Sequence, residues 1–414
     1  MPTLIEPERP APMPSPPPAT PWGLLARRPL FDSRGALAGW DIELSAAARA
    51  RATVTRVSAV RLSYGAALSA AATEVIADGR HALLAPPAEL LVEAEFIASL
   101  PASSWLRLGP VELAALGTQA IPQIAAWRTR GLRVATPPGL VPGDLNLLDA
   151  RGGAARLPAT SGRGWVAINL GSLDALAASI ASGCALCCGR FDAIPRPPRT
   201  ARLADHAAGA ARMLSALLAG GSARQLAEIA HTDVALSWRL LRLARSARFG
   251  RAAASLSAQQ AIQLLGTREL YRWLSALMIS ARPDAPLAAG LQEQALARGR
   301  LLELLAARVG HAPPELLFIV GSFSLLEALL AVPLEVALVA VPLPAAANDA
   351  LIAHEGPWWP YLAAALAVER NEAGGIEAAC LALGITPETL ADTAAEAARW
   401  AASAAAALPL TQAP

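Results

Sequence analysis

The feature that most constrains this chain is a change of pattern near its middle. Up to about residue 193, short apolar runs of strand length alternate with helical stretches. From residue 201 to about 405, no strand-like run interrupts a helical pattern. Between them lies "IPRPPRT", residues 194–200, whose prolines read as a linker. A chain of 414 residues has room for two such domains, each with its own core.

In the first half, "LLARRPLF" and "LAGWDIEL" flank the tight-turn sequence "DSRG" and predict a hairpin. Further on, "SWLRLG", "LRVAT", "LNLLDA" and "GWVAINL" are separated by helical segments such as "LGTQAIPQIAAWRTRG". That alternation predicts a parallel α/β sheet or barrel over residues 22–193. Before it, residues 1–21 form a proline-rich tail without a basic-then-apolar signal segment, so a disordered tail and a cytoplasmic protein are expected. The second half predicts an all-helical domain. Ser222 with Gln225 and Ser257 with Gln260 are capping-box pairs, and Asp233 is placed to cap a helix that ends at Gly250. On that helix Leu236, Leu240, Leu243 and Ala247 form an apolar stripe, and Gly266 separates the next two helices.

Chemistry is narrowed by what the chain lacks. Its 35 basic residues are all arginine, which excludes a Schiff base, a P-loop lysine and a lysine general base. A net charge of +2 gives no global signal for nucleic acid or an anionic membrane. The most apolar stretch, Phe318 to Leu343, is interrupted by Glu327, Pro333, Glu335 and Pro342, so no membrane span is expected. The cysteines Cys184, Cys187, Cys188 and Cys380 include one C-x-x-C but no second ligand pair. They read as small buried residues in a reducing compartment.

Two candidate sites remain. His231 and Asp233 could belong to a metal-dependent hydrolase, but Thr232 separates them, and on one helix they would point about 200° apart. None of the other histidines considered, His206, His311 and His354, has an aspartate directly after it. No metal site is expected. Arg239, Arg242, Arg245, Arg248 and Arg251 recur at every third position, which on a helix makes a spiral drifting through about 240°. Neighbouring pairs can share an acidic target, and Arg242, Arg245 and Arg248 are the candidate partner-binding residues.

The segments "AEIAHTDVALSWRLLRLARSARFG", "SAQQAIQLLGTRELYRWLSALMIS" and "FIVGSFSLLEALLAVPLEVALVAVPL" resemble the HDOD domain of bacterial signalling proteins. Asp233, Leu236, Leu240 and Leu241 carry the spacing, and Phe323 to Glu327 supply the later Phe-Ser-Leu-Leu-Glu. In relatives an asparagine usually stands where Arg245 does. By element order and a few anchor positions, the first half resembles a degenerate EAL domain, making the whole similar to the EAL–HDOD family. Intact EAL domains hold two metals on carboxylates, an asparagine, a lysine and a glutamine, and hydrolyse cyclic di-GMP; hard cations around a phosphate require such oxygen ligands.

The resemblance places Asp41 and a shifted Glu43 at the signature glutamate, and Pro137 and Pro138 at the paired aspartates. Asp149 keeps its aspartate, Leu147 takes the lysine position, Ile168, Asn169 and Gly171 the next glutamate cluster, and Cys188 the closing glutamine, followed by Gly189 and Phe191. Asp41 and Asp149 then read as turn or surface carboxylates. The resemblance implies a protein without catalytic residues or cofactor, acting through a protein partner in cyclic di-GMP signalling, motility or stress responses. Cyclic di-GMP and nucleic-acid binding are not expected. The alternatives are a cyclic di-GMP phosphodiesterase, an HD-type metal phosphohydrolase, or a nucleotide or nucleic-acid binder using the arginines of 239–251.

Overall fold

The computed structural model describes residues 25–150, 164–189, 205–244, 256–280, 288–330 and 332–407. The tail at 1–21 and the linker at 194–200 lie outside the described residues.

Eight strands close into a barrel in sequence order. They are β1 (Leu25–Asp32), β2 (Leu37–Leu44), β3 (His81–Ala85), β4 (Trp105–Arg107), β5 (Arg133–Thr136), β6 (Leu145–Asp149), β7 (Trp165–Leu170) and β8 (Leu186–Gly189). β1 runs antiparallel to both its neighbours, and β2 through β8 are parallel. The expected hairpin is β1–β2. Its turn is held by Asp32 Oδ1, which accepts from the Arg34 and Ala36 amides at 2.8 and 2.9 Å, with Gly35 at φ 77°. All four expected later strands form.

Two strands had no strand signature in the sequence. β3 is "HALLA", built of good helix formers, and β8 is "LCCG", three of whose residues are the end of the cysteine cluster and its glycine. Pairing on both sides makes them strands. Strand alternation then parts the cysteines: Cys188 lies in the barrel interior with Leu30, Leu83, Trp105, Ala135 and Leu147, whereas Cys187 packs into the core shared with the helices. All four cysteines are buried.

From Asp205 to Ala407 no strand occurs among the described residues. Both capping boxes form, and the Asp233 carboxylate accepts from the Leu236 amide at 2.9 Å, capping the helix Val234–Ala244. Gly266, at φ 71° and ψ 167°, breaks the stretch Ala258–Met278 into two helices as expected. The apolar stripe differs at one position: Leu236 and Leu240 are buried, but Leu243 is half-buried and Ala244 takes the inward place. Steps of four from Leu236 keep to the packed face, while Leu243 falls to its edge. Ala247 and Gly250 lie outside the described residues.

One apolar core joins the two halves. Phe31, Trp165, Leu176 and Cys187 from the barrel belong to the same buried cluster as Leu214, Leu240, Leu274 and Leu302 from the helices. Contact is close: a Cβ on Gly290 would lie 2.6 Å from a Phe31 ring carbon. Among the described residues, no helix is long and apolar enough to cross a membrane.

Burial sets the expected effect of substitutions on the helix Val234–Ala244. Leu240→Ala should cost about 2–5 kcal/mol, and Arg242→Ala should stay within about 0.5 kcal/mol of the parent. Denaturant unfolding of the two variants checks the contrast.

Candidate functional site

The interior of the barrel has two chemical levels. Leu30, Leu83, Trp105, Leu147, Val166, Ile168 and Cys188 fill it with apolar groups. Toward the C-terminal ends of the parallel strands, inward positions become charged. On β2, Trp40, Ile42 and Leu44 pack outward, so alternation turns Asp41 and Glu43 inward. On β4 the same rule turns Arg107 inward beside Trp105, and β1 brings Arg28 opposite Asp41 in register.

These four side chains form one ion cluster. Arg107 donates from Nε to Asp41 Oδ1 at 2.8 Å and from a terminal nitrogen to Glu43 Oε2 at 2.9 Å. Arg28 reaches Asp41 Oδ2 at 3.0 Å and Glu43 Oε1 at 2.8 Å. Each guanidinium therefore bridges both carboxylates, Arg28 through one terminal nitrogen and Arg107 through two nitrogens of its planar fork. The Cys188 thiol donates to Asp41 Oδ2 at 3.5 Å. Arg28 also donates to Asn169 Oδ1 at 3.2 Å, and Asn169 passes the chain on to Asp149 at 2.9 Å. Asn169 holds a left-handed backbone, φ 59°, which asparagine tolerates better than most residues.

Asp41 is fully buried, which corrects its reading as a turn or surface carboxylate. Only Asp149 is exposed as expected. The physical reason is the inward register of β2 combined with two inward arginines, from β1 beside it and from β4 beyond β3. Burial works to raise the Asp41 pKa, but Arg107 and Arg28 outweigh it, and the carboxyl is held below its usual range. Burial would lower the Arg107 pKa, and Asp41 with Glu43 reverses that shift. Burial together with the Asp41 charge pushes the Cys188 thiol up, so it stays protonated and donates.

The helical half closes the cluster. Asn371, at the end of the helix Trp359–Arg370, has a left-handed backbone, φ 54°. Its amide nitrogen donates to Glu43 Oε1 at 3.2 Å and to the Leu44 carbonyl at 3.1 Å, and its oxygen accepts from the Ala46 amide at 2.6 Å. Arg80 with Glu293 at 3.0 Å, and Arg27 with the Ala398 carbonyl at 3.2 Å, add two further cross-connections.

A pair of divalent ions needs several oxygen ligands free to coordinate. Here each oxygen of Asp41 and Glu43 already meets a guanidinium. As placed, this donor set does not fit two metal ions. Among the described residues, no three His, Cys, Asp or Glu side chains converge as metal ligands. His231 ends one helix and Asp233 caps the next, so the two are divided by a helix junction.

The structure thus links Asp41, Glu43, Asp149, Asn169 and Cys188, which the sequence resemblance had singled out. Sequence reasoning missed Arg28, Arg107 and Asn371. For the first two a signal existed: an arginine inside the short apolar runs "LARRPLF" and "WLR" is either an edge residue or a buried partner for an acid. Asn371 carried no signal, since it lies more than 300 residues from its partners. Of the arginines expected to bind a partner, Arg242 is exposed. Its guanidinium stacks 5.0 Å from the Trp238 ring. Arg245 and Arg248 lie outside the described residues.

Comparison with known proteins places these features. Residues 213–330 match the family model of the HDOD domain, so the helical half carries an HDOD domain. The chain is 30% identical over 169 residues to cyclic di-GMP phosphodiesterase CdgJ of Vibrio cholerae, covering 41% of this chain and 39% of that one. It is 28% identical over 150 residues to the uncharacterized protein YuxH of Bacillus subtilis, covering 36% and 37%. The matches thus span about two-fifths of these relatives. Solved structures with some likeness include the EAL domain of Mycobacterium smegmatis DcpA, at 17% identity, TM-score 0.31, covering 40% of this chain and 89% of that one. A signal transduction protein from Marinobacter aquaeolei is similar over 94% of both chains, at 14% identity and TM-score 0.35.

Two substitutions test the cluster. Asp41→Asn leaves Arg28 and Arg107 facing one carboxylate and should cost about 3–5 kcal/mol. Because the folded pKa of Asp41 lies below its unfolded value, its contribution is present above about pH 4. It is lost as pH falls through the lower folded pKa. The gap between parent and Asp41→Asn should therefore narrow only in acid, as unfolding at a series of pH values will show. Asn371→Gly keeps the left-handed backbone and removes the amide, and a loss of about 1–3 kcal/mol is expected in the same measurement.

Proposed function

We propose that this chain is a non-catalytic signalling protein. In this reading its barrel is a structural platform and its HDOD domain engages a protein partner. The observation that carries the reading is the ion cluster of Arg28 and Arg107 with Asp41 and Glu43. Metal-assisted phosphodiester hydrolysis needs cations against the phosphate and an activated water. In this barrel Asp41 and Glu43 are taken up by guanidiniums, whose protons have no function as Lewis acids, and Asp149 is the one other surviving carboxylate. The leucine at position 147, where the resemblance expects a lysine, removes a further cation from the mouth.

A link to cyclic di-GMP signalling is supported by the HDOD match and by the similarity to a cyclic di-GMP phosphodiesterase. Binding of the dinucleotide itself is disfavoured, because the groups that would meet its phosphates through metal are occupied. Purified full-length protein should release no linear product from cyclic di-GMP with Mg²⁺ or Mn²⁺, measured by chromatography. Turnover above a protein-free blank that disappears in Asp149→Ala, a substitution at an exposed position, would overturn the reading.

A further inference from the structure

The helix Val234–Ala244 has two apolar faces, and only one of them is used by the fold. Leu236, Leu240 and Ala244 are buried against the neighbouring helices. On the opposite side, Val234 is 83% exposed and Trp238 is 48% exposed. Steps of four residues place Val234, Trp238 and Arg242 along one stripe about 80° wide, roughly opposite the buried face. Two large apolar side chains, one of them tryptophan, stand exposed at adjacent turns, outside the buried apolar clusters of the fold. Exposed patches of this kind mark interaction surfaces, and Trp and Arg are the residues that most often anchor them.

Charge selects the occupant. The helix carries Arg239 and Arg242 and no acidic residue, since Asp233 is spent as its cap. Among the described residues neither arginine has an ion-pair partner. Arg242 stacks 5.0 Å from the Trp238 ring, which fixes the plane of the guanidinium while leaving its N–H edge free. A carboxylate meeting that edge would gain a bidentate contact in a fixed place. Arg239 extends the positive charge along the flank, so the stripe is a hydrophobic anchor bordered by cations.

We propose that Val234, Trp238 and Arg242 form a docking face for an acidic amphipathic segment of a partner protein. The segment would lay its apolar side chains on Val234 and Trp238 and its carboxylates on Arg242 and Arg239, a helix-on-helix contact with apolar anchors one turn apart. This inference rests on the reading of the helical domain as a partner-binding module and names where and what it binds.

The test uses full-length protein and two synthetic fluorescein-labelled helical peptides. Both carry leucine at i, i+3, i+4 and i+7; the other positions are glutamate-rich in one and lysine-rich in the second. Fluorescence anisotropy should show saturable binding of the glutamate peptide and at least tenfold weaker binding of the lysine peptide. Trp238→Ala and Arg242→Glu, each with an unchanged melting temperature, should weaken the glutamate peptide at least tenfold. Equal binding of the two peptides, absence of binding, or full retention by both variants would overturn the proposal. Cyclic di-GMP turnover by the parent would sink the non-catalytic reading while leaving this surface to stand or fall on the peptide result.

Discussion

A carboxylate taken fully out of water costs several kcal/mol unless cations are held against it, and Asp41 is such a group. Its position follows from β2, whose odd-numbered residues from Gly39 to Glu43 must face the barrel interior once Trp40, Ile42 and Leu44 face out. The closed barrel then has to supply positive charge from other strands, and β1, beside β2, and β4, the next strand but one, do so through Arg28 and Arg107. With two guanidiniums shared by two carboxylates, the charges of these four side chains balance and each oxygen of Asp41 and Glu43 is engaged. The arrangement that balances the buried charge of Asp41 is the same one that engages each oxygen of Asp41 and Glu43 with a guanidinium.

The cluster also fixes how the halves sit together. Glu43 accepts from Asn371, whose amide bridges the end of β2 and the start of the following helix. A ligand that displaced Glu43 from its arginines would have to disturb a residue of the helical half at once. Arg80 with Glu293 and the shared core around Phe31 make the junction broad as well as polar. Ion pairs within the helical half differ in worth. The buried Arg298 pairs with Glu369 through two bonds of 2.6 Å and is well placed to resist solvent, whereas an exposed pair such as Arg224 with Glu228 contributes little.

An arginine-only chain suits this construction. At the barrel mouth Arg107 meets the two carboxylates through separate nitrogens and Arg28 meets both through one, and each guanidinium keeps its charge when buried. The same residue type on the helix Val234–Ala244 stacks on tryptophan and still presents donors to solvent. One side chain thus serves as an internal counter-ion in one half and as a surface anchor in the other, and burial alone separates the two roles.

Much of this was legible in the sequence, because much of it is local. Hairpin, capping boxes, the Asp233 cap and the Gly266 break are each set by residues within a few positions of one another, so turn and cap chemistry declares them. The change from alternating elements to helices declared the two halves, and the HDOD spacing was carried by a single helix and its neighbours. What the sequence could not declare depends on closure. The short strands β3 and β8 exist because neighbours pair with them. Five strands lie between Asp41 on β2 and Cys188 on β8 in sequence order, yet the closed barrel sets the two side chains 3.5 Å apart. The exposure of Trp238 was undecided by its own helix, whose apolar residues fall on both faces; packing of Leu236 and Leu240 chose which face turned inward. Sequence by itself determined the elements and the residue chemistry, since these depend on near neighbours. Tertiary structure alone decided which charges meet and which face stays open, because those outcomes depend on residues brought together from distant parts of the chain.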